Sequence, residues 1–161
     1  MKKVILTVDQ ALAVNSVFGG VAGKDLTIDE IRKMGKTQSK LREANKEYLD
    51  KYDVLDVERN EIIRKWQTKF RKGVKNVEKE EVEKFNEELS RDMKLEIAEA
   101  VEAKFTELAD EYKSKKIEVE LSEEQYDLFK HEKFVEKMKE LITDKIYIVD
   151  LLETIESVVS E

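Results

Sequence analysis

The sequence predicts an α+β protein that is predominantly helical, with a small three-stranded head and a long antiparallel helical hairpin forming a coiled-coil-like arm. Three observations carry this expectation. Three short β-branched runs towards the chain ends each follow a lysine and lead into a helix start. Residues 28–113 carry apolar stripes at helical spacing instead. The 161 residues include no proline, so helices can run without interruption. The head is assigned to residues 1–27 and 114–161, and the hairpin to 28–113, inserted between the first and second strands.

The first strand is Lys3 to Val8, followed by a helix carrying Leu12, Val14, Val17 and Phe18 and stopped at Gly19-Gly20. Thr7 and Gln10 have the spacing of a capping box, as do Thr27 and Glu30, which open the first long helix. That helix is expected to reach about Phe70, with Gly35 as a weak point near its start, at a cost of about 1 kcal/mol relative to Ala. Met34, Leu41, Tyr48, Leu55 and Ile62 fall seven apart and are apolar, whereas Gln38, Asn45, Tyr52, Arg59 and Trp66 are mixed. One seam is therefore good and the other leaky. Asn45 has two readings, a structural residue facing its own chain or a register residue facing a second copy.

A turn is expected over Arg71–Val77, around Gly73, and a second long helix over Glu78–Tyr112. Its stripe is Val82, Phe85, Leu89, Met93, Ile97, Val101, Phe105, Leu108 and Tyr112. The repeated step of four from Leu89 to Val101 departs from heptad spacing and predicts a local change of winding. Met93, Leu95 and Ile97 also fit a short strand. Ile117, Val119 and Leu121 alternate with charges as the second strand, and Ser122 with Gln125 forms the next capping box. Lys145–Val149 reads as the third strand, with Asp150 and Glu153 capping a last helix of Leu151, Leu152, Ile155, Val158 and Val159.

Composition removes several functions. There is no cysteine, so disulfides, thiol nucleophiles and thiolate metal sites are excluded, and a single histidine, His131, removes most His-based catalysis and zinc chemistry. His131 beside Glu132 reads as a surface histidine. Gly19-Gly20-Val21-Ala22-Gly23-Lys24-Asp25 fails as a phosphate loop, because Phe18 stands where the first glycine belongs and Asp25 replaces the hydroxyl. No Gly-x-Ser-x-Gly elbow is present. No apolar run approaches the roughly 20 residues of a membrane span, and the start is too short for a signal peptide. The expectation is a cytoplasmic protein with no enzymatic activity, no cofactor and no metal.

The charge is uneven. The whole chain carries −7, yet Arg64–Lys79 holds seven bases against Glu78 alone, a net +6, which leaves −13 elsewhere. Trp66 and Phe70 are interleaved with these bases. Helix-dipole complementarity explains much of the run, with bases ending one helix and Glu78, Glu80, Glu81 and Glu83 opening the next. The competing reading is a binding site for an acidic partner, whose candidate residues are Arg64, Lys65, Trp66, Lys69, Phe70, Arg71, Lys72 and Lys75. Trp66 and Phe70 fit hairpin core better than base-stacking platforms.

The order of parts suggests a relationship. A strand and short helix (Lys3 to Phe18), a Lys/Glu-rich helix running into Tyr48-Leu49-Asp50-Lys51-Tyr52, a Phe-Asn-Glu-Glu-Leu segment (Phe85 to Leu89), the Ile117–Leu121 strand and a final Asp150-Leu151-Leu152 helix follow one another. This order resembles a group of small uncharacterised proteins encoded by bacteriophages and prophages of low-GC Gram-positive bacteria. The resemblance implies a viral context, in which small helical proteins act by binding, and it implies no site residues. The expected function is a protein–protein interaction or assembly role through the helical arm, with a host or virion protein as partner. The alternatives are self-association and nucleic-acid binding through the basic tip (residues 64–79).

Overall fold

The computed structural model describes residues 1–75, 77–157 and 159–160. The protein is predominantly helical, with a small antiparallel sheet, and divides into two compact units, residues 1–46 with 112–161 and residues 47–111.

In the first unit β1 (Lys2–Thr7) pairs antiparallel with β2 (Lys116–Leu121), Val4 opposite Val119 and Leu6 opposite Ile117. Alternation turns Val4, Leu6, Val119 and Leu121 into the core and leaves Ile5, Glu118 and Glu120 outside. Residues Val159–Ser160 pair with Lys2 and Lys3 on the other edge of β1. Three helix starts use the predicted capping boxes: Thr7 with Gln10 for α1 (Val8–Gly20), Thr27 with Glu30 for α2 (Ile28–Ala44), and Ser122 with Gln125 for α6 (Glu123–Asp127). Gly35 lies within α2 and does not interrupt it.

Phe18 of α1, Phe129 and Phe134 of α7 (Glu132–Leu141) form an aromatic cluster at the centre of this unit, with ring centroids 4.6–5.6 Å apart. Met34 and Leu41 of α2 join the same core. Lys40 of α2 donates to the Glu120 carbonyl (2.9 Å) and to Gln125 Oε1 (2.8 Å), tying α2 to β2.

The structure corrects several expectations. Lys145–Val149 is not a third strand but the opening of α8 (Lys145–Glu156), capped by Asp144, whose carboxylate accepts from the Ile146 and Tyr147 amides. The alternation was ambiguous because a short apolar run fits either period. In the helix, Tyr147, Ile148, Leu151, Leu152 and Ile155 pack inward, while Ile146 and Val149 face solvent. Asp150, the expected cap, lies inside this helix, and Val158, the next position of its expected stripe, falls outside the described residues.

The first long helix is divided at Asn45, which leaves helical geometry (φ −95°, ψ 8°) between α2 and α3 (Lys46–Gly73). Asn45 is buried, and its Oδ1 has no hydrogen-bond partner among the described residues. The unit boundaries fall at 46/47 and 111/112, not at 27/28 and 113/114. The reason is packing: α2 buries Met34, Thr37 and Leu41 and lies against α1 and β2. His131, finally, is not a free surface side chain. It caps α7, with Nδ1 accepting from the Lys133 amide (3.1 Å) and Nε2 directed at the Glu30 carboxylate. Glu30 is held below the ordinary carboxylate range first by the Thr27 amide, then by the Thr27 hydroxyl and His131.

In the second unit α3 is followed by a turn, α4 (Lys79–Ile97), a π turn (Ala98–Glu102) and α5 (Ala103–Tyr112). The expected turn at Arg71–Val77 begins later, after Gly73, and its Asn76 falls outside the described residues. Met93, Leu95 and Ile97 are helical, which removes the strand reading.

The π turn accounts for the run of four-residue steps. Each such step overshoots a 3.6-residue turn by about 40°, so the stripe from Phe85 to Ile97 drifts around the helix. A wider turn at 98–102 reverses the drift, with Val101 buried within it and Phe105 brought back against Tyr52 of α3.

Two substitutions separate core packing from capping in the first unit. Phe134→Ala is expected to cost about 3–5 kcal/mol, and Asp144→Ala about 1 kcal/mol. Urea denaturation followed by circular dichroism reads both, and equal losses would contradict this account of α8.

Candidate functional site

All eight candidate residues lie in the second unit, on α3 or just after it. The apolar seam turns Tyr48, Leu55 and Ile62 away from full exposure, and the mixed seam is occupied by side chains with an apolar body and a polar end. Tyr52 packs on Phe105 with centroids 5.1 Å apart, and the Arg59 guanidinium lies over the same ring at 5.1 Å while pairing with Asp56. Lys104 reaches Glu58 (3.5 Å), and Phe70 stacks on Phe85 at 6.3 Å. These contacts pair earlier positions of α3 with later positions of α4–α5.

Gly73 makes the Phe70–Phe85 stack feasible. A Cβ at that position would stand 2.3 Å from the Phe85 ring, far inside van der Waals contact. The same residue that reads as a helix stop in the sequence is thus also the floor for an aromatic ring.

Trp66 organises the basic segment. Its indole N–H donates to Glu96, which also pairs with Lys65. The Lys69 ammonium sits 4.2 Å from the Trp66 ring centroid and that of Lys65 5.5 Å away, both within cation–π range. Lys65 holds the Glu96 carboxyl below its usual value, with the Trp66 indole as the second cause. Beside Trp66 a groove of about 280 Å³ opens between α3 and α4, walled by Phe70, Leu89 and Met93, with Gln67, Arg71, Asn86 and Ser90 supplying its polar rim.

Of the sequence candidates, the structure brings Lys65, Trp66 and Lys69 into one constellation, sets Phe70 in the groove wall, and puts Arg71 at the rim. Arg64, Lys72 and Lys75 are exposed. Sequence reasoning missed Glu96, Asn86 and Ser90, whose roles depend on which α4 residue lies opposite Trp66. Among the described residues, no group of three or more His, Asp or Glu side chains could hold a metal ion, and no helix is long and apolar enough to cross a membrane.

No protein-family model, curated protein or solved structure matches the chain.

The Glu96 contacts have a measurable consequence. A carboxylate whose folded pKa is lowered contributes stability that is present above its usual value of 4.5 and is lost as pH falls through the folded value. Because Trp66 is the only tryptophan, its emission is expected to change at a midpoint below 4.5, and Glu96→Gln is expected to remove that transition. A midpoint at or above 4.5 in an acid titration would contradict the arrangement.

Proposed function

We propose that this is a non-catalytic interaction protein that binds a partner protein through the helix pair of residues 47–111. The observation carrying this reading is the poor burial of that pair. Among its described residues only Tyr48, Val101 and Leu108 are buried hydrophobics, while Val54, Leu95 and Val57 are 69, 58 and 57% exposed. Two helices side by side bury only the stripes facing each other, and a third element is needed to cover the remainder. The first unit, by contrast, closes an aromatic core of its own. A coiled-coil-like pair with open apolar positions suits binding or assembly. The resemblance to phage-encoded proteins would place the partner among host or virion proteins.

The basic run supports a second reading, nucleic-acid binding through residues 64–79. Against it stand the overall −7 and the aromatic rings. Phe70 is already stacked on Phe85, and the Lys69 ammonium lies over Trp66, where base stacking needs open faces.

Photo-crosslinking side chains placed separately at Val57, Gln67 and Leu95, with Ile28 and Ile146 of the first unit as exposed controls, test the reading in lysate of the encoding organism. A discrete protein adduct that forms from the helix pair, survives nuclease and is absent from the controls is the expected result. Adducts from the controls alone, or material lost entirely on nuclease treatment, would overturn it.

A further inference from the structure

Two grooves formed by described residues of the second unit differ in charge. One, of about 310 Å³, lies between α3 and α5 and is lined by Val54, Leu55 and Leu108 with Lys51, Lys104, Glu107 and Glu111, so both signs are present. The other is the Trp66 groove. In a chain with 37 acidic residues, no carboxylate lines it among the described residues, and the one charged lining residue among them is Arg71. The α4 wall there is neutral, made of Asn86, Leu89, Ser90 and Met93. The surrounding bases are largely uncompensated. Among the described residues Arg64, Arg71, Lys72, Lys75 and Lys79 have no carboxylate within ion-pair distance, whereas Lys65 is neutralised by Glu96.

We propose that the Trp66 groove is a docking site for an acidic amphipathic helix of a partner protein, which seats an apolar side chain beside Trp66 and sets its carboxylates against Arg71 and the neighbouring bases. The inference rests on the reading of residues 47–111 as the binding element and names the chemistry of the partner. Two features favour this occupant. A cleft between two helices is the geometry that receives a third helix by its i, i+3, i+4, i+7 face. Its walls combine Trp and Arg, the side chains that most often dominate binding energy, with an adaptable Met.

The competing occupants fit less well. A nucleic acid would find the aromatic faces already taken, Phe70 by Phe85 and Trp66 by the Lys69 ammonium, where base stacking needs open ones. A second copy offers the acidic stretch 47–61, but Val54 and Val57 are its only exposed large hydrophobics among the described residues, the rest of its stripe packing towards α5.

Trp66 makes the test direct, since all tryptophan emission of the full chain arises in the groove. The probes are two synthetic helical peptides without tryptophan that share a leucine stripe, one with a Glu/Gln polar face and one with a Lys/Gln polar face. The acidic peptide is expected to shift Trp66 emission to the blue, saturably, and to bind at least about tenfold tighter than its basic twin, with affinity falling as salt is raised. Arg71→Glu is expected to weaken it by about tenfold or more with unchanged helicity. Gln67→Lys, adding a base at the rim, is expected to tighten it, which a misfolded variant would not do.

Equal affinity for the two peptides, or no emission change with either, would overturn the groove assignment. So would displacement of the acidic peptide by single-stranded DNA at equal concentration, or a stable dimer in sedimentation that already buries Trp66. Crosslinks from Val57 or Leu95 without peptide binding would leave partner binding through the helix pair standing and remove only this groove. Crosslinks from the first unit alone would remove both.

Discussion

The pairing of β1 with β2 joins residues 2–7 to residues 116–121, and everything between must leave from and return to that sheet. Closing so long a loop costs entropy that grows only slowly with its length, so the chain can carry a large excursion between two paired strands. Part of the excursion is retained. Segment α2 goes back into the core, with Met34 and Leu41 among the buried residues and Lys40 hydrogen-bonded to β2 and to Gln125. The rest, from Glu47 to Glu111, forms a compact unit by itself.

Those two destinations have different physical economies. The first unit stacks helices on a sheet and can enclose Phe134, Met138, Leu151 and Leu121 almost completely. The second has a single layer. Its aromatic and aliphatic side chains meet in pairs, Tyr52 with Phe105 and Phe70 with Phe85, yet each remains half-exposed. The mixed seam of α3 is an adaptation to that geometry. Arg59 and Trp66 would be expensive in a sealed core, but at a half-open interface they cover an apolar surface with their bodies and engage Asp56 and Glu96 with their polar ends.

Charge follows the same division. Helix-dipole complementarity accounts for bases at the end of α3 and acids at the start of α4, and that much requires no partner. It does not account for a groove that, among the described residues, has no carboxylate lining beside cations with no carboxylate in ion-pair range. Lys69 over Trp66 and Lys65 on Glu96 show the local means of holding such charges. Arg64, Arg71, Lys72 and Lys75 lie outside those arrangements.

Much of this protein was legible in the sequence because its signals are local. Capping boxes need three residues of spacing, and Thr7, Thr27 and Ser122 each formed theirs. The α4–α5 stripe and its change of winding follow from counting apolar steps, and the π turn at 98–102 is where that change occurs. The basic segment was visible as composition alone. Other features depended on contacts between segments distant in sequence. Lys145–Val149 offers both periods, and only packing in the first unit together with the Asp144 cap selects the helix. Asn45 has the spacing of a seam residue, yet the chain breaks there, where α2 ends in one unit and α3 enters the other. His131 caps α7 through the nearby Lys133 amide, but its Glu30 partner comes from a helix some hundred residues earlier. Glu96 and the α4 wall of the groove were chosen by the helix-to-helix register. Periodicity and capping are properties of a few consecutive residues, so the sequence by itself determined three helix starts and the α4–α5 stripe; which faces meet is a property of the packed chain, so only the tertiary structure decided the start of α8, the break at Asn45 and the groove.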